Sequence, residues 1–204
     1  MLIDLSTMAP DAVYHCMTQT VIPRPVAWVL TENAGGNFNL APFSYFTAVS
    51  SRPPLILLSM GLKPDGTEKD TKVNIAAREF FVVHIAHRAL ADVMTETSRT
   101  RPAGESELEH AGLGSVPFGD FPLPRLADCR IAMGCRLYQL QRVGDTAQSL
   151  ILGEVLTVYV DDAVAQVDDR GRLVVDAAAV DPLGRLGASE YATFGEILHI
   201  PRPA

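Results

Sequence analysis

The stretch Pro25-Val-Ala-Trp-Val-Leu-Thr-Glu-Asn-Ala-Gly-Gly-Asn-Phe-Asn-Leu-Ala41 decides how this chain folds. Its first seven residues are short, apolar and rich in β-branched side chains, and Glu32-Asn-Ala-Gly-Gly-Asn37 concentrates the residues that turn a chain. The spacing predicts a strand over 25–31, a hairpin turn, and a partner strand that begins at Phe38. Downstream, residues 43–51 alternate aromatic or aliphatic positions with small hydroxylated ones, so this stretch is expected to be extended. Alternation would turn Thr47, Val49 and Ser51 one way and Ser44, Phe46, Ala48 and Ser50 the other. Pro53-Pro54 lacks amide donors and marks a corner. Leu55-Ile-Leu-Leu-Ser-Met60 then forms a continuous apolar run suited to a strand buried on both faces.

These strands follow one another without the crossover helices that parallel pairing requires. A doubly wound nucleotide-binding sheet is therefore disfavoured, and an antiparallel barrel or sandwich with a few plugging or flanking helices is expected. Thr71 can cap a helix that runs to Arg78, and Phe80-Phe-Val-Val-His-Ile85 returns to strand character. A second helix is expected from about Ala89 to Glu96. Between residues 98 and 128 eight Gly and Pro residues break any regular element, and a connection this long in a compact domain is usually a lid or an arm that reaches a partner. Strands are expected again over 130–140 and 150–160 with Gly144-Asp145 as the turn, and at 173–175 after the turn at 168–171. The whole reads as one mainly β domain over 1–204.

Composition narrows the function. The 204 residues are 48% apolar and 20% charged, the balance of a globular domain, and the net charge of −7 gives no electrostatic reason to bind nucleic acid. Residues 1–14 show neither the basic start nor the apolar run of a secretory signal, and no stretch approaches the roughly 20 apolar residues of a membrane span. Cys16, Cys129 and Cys135 form no even framework and no CxxC pair, which suits free thiols and a cytoplasmic location.

The loop from Gly61 to Asn74 carries the clearest chemical signal. Ser59, Lys69 and Thr71 surround a Gly-containing turn that leads into a helix start, where backbone amides, an ammonium and hydroxyls make a phosphate cradle. Gly61 and Gly66 have P-loop separation, but Thr67 stands where the lysine belongs, so nucleoside triphosphate hydrolysis is disfavoured. A solvated loop with an ordinary cap explains about half of such loops. The small hydroxylated residues over 44–51 would let a flat ring approach the backbone, although spacing alone slightly favours a serine-rich strand edge. His84 and His87 lack metal-ligand spacing, no GxSxG elbow is present, and no catalytic side chain or metal site is expected.

Four blocks resemble, in order, the signatures of the flavin reductase-like, FMN-binding split-barrel family. They are Pro23-Arg-Pro-Val-Ala-Trp-Val-Leu-Thr31, Asn39-Leu-Ala-Pro-Phe-Ser-Tyr-Phe-Thr-Ala-Val-Ser-Ser-Arg-Pro-Pro54, Lys69-Asp-Thr-Lys-Val-Asn74 and Leu183-Gly-Arg-Leu-Gly-Ala-Ser-Glu-Tyr191. The resemblance implies a six-stranded antiparallel split barrel, usually a homodimer, with FMN near the subunit interface. By position, Phe46, Thr47, Ala48, Val49 and Ser50 would run along the isoalloxazine and ribityl chain, and Ser59, Met60 and Gly61 would line the other side of the ring. Lys69, Asp70, Thr71 and Asn74 would hold the phosphate and ribityl hydroxyls, while Arg185 and Tyr191 would close the pocket. It also implies hydride transfer from NADH or NADPH to the flavin and onward to a small-molecule or protein acceptor. The alternative is a flavoredoxin-like electron carrier without its own nicotinamide site. Two departures stand out: His84 where asparagine is expected, and Gly187-Ala188 where a glycine pair is commoner.

Overall fold

The computed structural model describes residues 1–145, 147–201 and 203. The helices are α1 (Pro10–Thr20), α2 (Asp70–Arg78), α3 (Ala91–Glu96), α4 (Glu107–His110) and α5 (Ala177–Val180). The strands are β1 (Arg24–Pro25), β2 (Ala27–Glu32), β3 (Phe38–Phe43), β4 (Phe46–Ser51), β5 (Pro54–Met60), β6 (Phe80–Ile85), β7 (Ser115–Val116), β8 (Arg125–Leu126), β9 (Ile131–Val143), β10 (Gln148–Val160), β11 (Ala165–Val167), β12 (Leu173–Val175), β13 (Gly184–Arg185) and β14 (Tyr191–Ala192).

The predicted hairpin forms as β2 and β3, in register from Ala27 opposite Phe43 to Glu32 opposite Phe38. Its turn closes through the Asn33 amide on the Asn37 carbonyl at 2.8 Å and requires Gly36 at φ 84°, a left-handed conformation that glycine adopts without strain. The largest sheet has seven strands in the order β3-β2-β6-β9-β10-β5-β4, and every pairing in it is antiparallel. The six-stranded barrel that the resemblance implied is therefore not what forms.

The two edge strands, β3 and β4, are nevertheless joined by Ser44 and Tyr45 alone. Such a link reaches at most about 11 Å, whereas the edges of a flat seven-stranded sheet lie about 29 Å apart. The sheet must roll until its edges meet at one corner. It stays open there because the outer edge of β3 is already satisfied: Ser106 Oγ donates to the Phe38 carbonyl at 2.6 Å, and the Leu40 amide donates to Glu107 Oε2 at 3.1 Å. A short helix thus covers an edge that would otherwise present free backbone groups. Pro42, with no amide hydrogen, fits on that same edge strand.

Apolar side chains fill both faces. Inside the roll, Ala27, Val29, Leu58, Phe81, Val83 and Ile151 pack against Ile75 of α2. On the outer face, Trp28, Leu30 and Val82 pack against Met94, Leu108, Phe118, Leu123 and Leu126. Residues 98–128 are therefore not chiefly a lid: Leu108 of α4, Phe118 and Leu123 of the β7–β8 connection and Leu126 of β8 complete this second core. His84 and Trp28 bind the layer to the sheet, His84 through Leu126 and Trp28 by donating Nε1–H to Thr97 Oγ1 at 2.9 Å.

Three further expectations change in detail. Thr71 does not cap α2; Lys69 is the N-cap residue, and the Thr71 hydroxyl instead accepts from Asn39 Nδ2 at 2.9 Å. The strict alternation read over 44–51 breaks at a bulge between Ala48 and Ser50. The strands expected over 130–140 and 150–160 are longer, two 13-residue partners turning at Gly144 with φ 65°. No helix among the described residues is long and apolar enough to cross a membrane.

Candidate flavin site

The corner where the rolled edges meet is hollow. A cavity of about 610 Å³ opens between Tyr14 of α1, the bend at Ser44 and Tyr45, the end of β5 at Ser59, Met60 and Gly61, and the late segment at Arg185 and Tyr191. A smaller one of about 100 Å³ lies beside it, lined by Lys63, Asp70, Thr71, Arg99, Arg101 and Glu107. Pro42, Phe43, Lys69 and Ser98 line both. The combined space falls in the range of sites that take a cofactor-sized ligand.

Arg24 holds the walls of the larger cavity in place. It is 5% exposed, and its guanidinium donates to the carbonyls of Thr18 and Val21 at the C-terminal end of α1, each at 2.6 Å. A cation there also complements the helix dipole. The same group donates to the Leu186 carbonyl at 2.8 Å, and its Nε reaches Ser44 Oγ at 3.4 Å. Close packing adds to this, since a Cβ on Gly187 would stand 2.2 Å from the Gln19 side chain. Arg185 lies over the Tyr191 ring at 4.5 Å, and Tyr191 Oη lies 3.0 Å from Thr95 Oγ1. Across the cavity, burial raises the pKa of Tyr45, whose ring sits 6.1 Å from that of Tyr14.

Ser59, Met60, Gly61 and Arg185 come together on the larger cavity, Asp70 and Thr71 on the smaller, and Lys69 at the junction. Asn74 lines neither. It is buried, donates to Thr31 Oγ1 at 3.0 Å and Asn33 Oδ1 at 2.8 Å, and accepts from Arg78, so its amide docks α2 on the β2–β3 hairpin. Phe46, Thr47, Ala48, Val49 and Ser50 also lie outside both linings: they form edge strand β4, and all but Phe46 are exposed in the single chain. His84, left without a role by the sequence, is fully buried, and burial lowers its pKa to about 4.

Lys69 differs from its neighbours. Lys63 pairs with Asp70 at 2.8 Å, and Lys72 pairs with Glu68, but among the described residues no carboxylate lies within ion-pair reach of Lys69. Burial, then the Lys63 charge, lowers its pKa. An ammonium held half out of water with no partner is poised to take an anion.

Sequence reasoning missed Tyr14, Lys63, Arg99, Arg101 and Gln148. The Arg99-Thr-Arg101 pair in an acidic chain was a usable signal. Gln148 carried none, because only the fold brings its Nε2 to donate to Ser59 Oγ at 2.8 Å. Among the described residues, no group of three or more His, Cys, Asp or Glu could hold a metal ion.

Comparisons with known proteins converge. Residues 17–175 match the family model described as the flavin reductase like domain. An uncharacterized protein of Halalkalibacterium halodurans is 36% identical over 194 residues, 93% of this chain and 90% of its own. The crystal structure of nitrilotriacetate monooxygenase component B from Bacillus cereus superposes with a TM-score of 0.88 at 31% identity, covering 98% of each chain. Pseudomonas fluorescens 2-nitrobenzoate 2-nitroreductase superposes with a TM-score of 0.87 at 29% identity, covering all of this chain and 96% of its own.

Proposed function

The chain belongs to the flavin reductase-like family, and from that premise we propose that it is an FMN-binding oxidoreductase reduced by NADH or NADPH. The observation that carries this reading is the unpaired Lys69 ammonium at the junction of a small polar cavity and a larger one walled by aromatic side chains. A phosphorylated flavin has the same two-part character, an anionic end and a broad flat ring. Lys69 would hold the phosphate, with the Thr71 hydroxyl beside it, and Ser59, Met60 and Gly61 would face the ring.

When bound, the flavin supplies the two-electron chemistry, and the protein contributes position, electrostatics and exclusion of water. Arg24 fixes both α1 and the segment after β13, so Tyr14 and Arg185 are held at set places on the cavity wall. The Gln148 amide orients the Ser59 hydroxyl. Gly61 leaves room for that amide, since a Cβ there would stand 3.1 Å from Gln148 Oε1. Edge strand β4 presents Thr47, Ala48, Val49 and Ser50 on an exposed surface, which fits a homodimer in which a second copy covers them beside the cofactor.

The test is direct. The purified protein, supplied with FMN, is expected to be yellow, and NADH or NADPH is expected to bleach it anaerobically faster than free FMN. A protein that takes up FMN but gives no acceleration would be an electron carrier instead. One that stays colourless would contradict the flavin reading.

A further inference from the structure

The smaller cavity holds charge that the chain leaves uncompensated. Lys63, Lys69, Arg99 and Arg101 line it against Asp70 and Glu107 alone, a local positive excess in a chain whose net charge is −7. The pairing among these groups is uneven. Lys63 is matched by Asp70 at 2.8 Å. Arg99 takes both carboxylate oxygens of Glu96, at 2.6 and 2.9 Å. Arg101 is left with a 3.5 Å contact to one of those same oxygens, and its Nε is buried with no acceptor. Glu107 is turned to the sheet edge, where Oε2 accepts the Leu40 amide.

A buried guanidinium N–H without an acceptor is costly, and the planar fork of an arginine matches the oxygens of a phosphate better than any other side chain. Arg101 and Lys69 are thus two cations of one small hollow, neither matched by its own carboxylate. The hollow's volume of about 100 Å³ is only a few times a water molecule's share of the liquid. It has room for a phosphate group.

Resting on the flavin reading above, we propose that Arg101 acts with Lys69 as a specificity-determining residue. Together they read a dianionic phosphate monoester, so that the site selects FMN over riboflavin, which has no phosphate, and over FAD, whose pyrophosphate carries only one charge on each phosphorus. Arg101 supplies the directional fork and Lys69 the point charge.

The experiment measures binding of FMN, riboflavin and FAD to the apoprotein by quenching of flavin fluorescence. It compares the unaltered chain with Arg101→Gln, Arg101→Lys and, as a distant control, Arg170→Gln on the exposed β11–β12 turn. The unaltered protein is expected to prefer FMN to both other flavins. Arg101→Gln is expected to reduce the FMN-over-riboflavin preference roughly ten- to hundredfold while riboflavin affinity holds. Unchanged riboflavin affinity also certifies the fold of the variant. Should Arg101→Gln fail to fold, Arg101→Lys, which keeps the charge and loses the fork, is expected to lose part of the same preference. A preference that survives in the Arg101 variants, or an unaltered protein that binds the three flavins alike, overturns the proposal and leaves the flavin reading standing. Failure of the unaltered protein to bind any of the three overturns that reading itself.

Discussion

The backbone amide of Leu126 donates to Nε2 of His84 at 2.9 Å, which fixes the proton on Nδ1, where it faces the Trp28 carbonyl at 3.0 Å. A neutral imidazole therefore bridges strand β2 and the layer built from residues 98–128. Burial, partly offset by the hydrogen bond to Trp28, lowers its pKa from 6.5 to about 4. Between those values the unfolded chain binds a proton that the folded chain excludes. The contribution to stability is full above pH 6.5, declines as pH falls, and is reduced by on the order of 3 kcal/mol near pH 4. Urea unfolding from pH 4.5 to 7.5 is expected to show this slope, and His84→Gln is expected to flatten it. An equal slope in both proteins would place the acid sensitivity elsewhere.

Asn74→Ala should act on stability. The substitution strips partners from Thr31, Asn33 and Arg78 in a buried network. Leaving such groups unsatisfied costs about 1–3 kcal/mol, and the urea midpoint is expected to fall accordingly. An unchanged midpoint would mean that water or a neighbour replaces the amide.

Gly153→Ala tests the packing inside the roll. A Cβ at this position would lie 2.4 Å from the ring of Phe81, which is fully buried between strands. Overpacking of this kind costs about 1–3 kcal/mol, readable as a lowered thermal midpoint. A variant as stable as the parent would show that the Phe81 ring can move aside.

Much of this structure was legible in the sequence because it is written locally. The Gly-containing turn at 33–36, the two prolines at 53–54 and the apolar run of β5 each state their conformation through residues within a few positions. The order of strands across the sheet was not legible, because β6, β9 and β10 enter between β2 and β5 through contacts far apart in the chain. The weak pattern over 98–128 reads as a lid or an arm towards a partner because its apolar residues are scattered among glycines and prolines, yet Leu108, Phe118, Leu123 and Leu126 converge on one face only after folding. Of the candidate site, Ser59, Met60, Gly61, Lys69, Asp70, Thr71 and Arg185 meet at the two cavities. Asn74 shares their sequence block and the helix face of Thr71, but it sits one turn further along, where its amide meets Thr31 and Asn33 of the hairpin instead of the cavity.

Lys69→Ala should weaken FMN binding by about 1–3 kcal/mol, the range for a charge-assisted hydrogen bond, or roughly five- to hundredfold in dissociation constant. Fluorescence titration of the apoprotein measures it. Equal affinity in parent and variant would remove Lys69 from the phosphate site.

The most direct test of the account is a crystal structure of the protein soaked with FMN. The expected density places phosphate oxygens within about 3 Å of Lys69 Nζ, with the ring lying against Ser59, Met60 and Gly61. FMN bound elsewhere, or bound here with its phosphate pointing away from Lys69 into solvent, would contradict it.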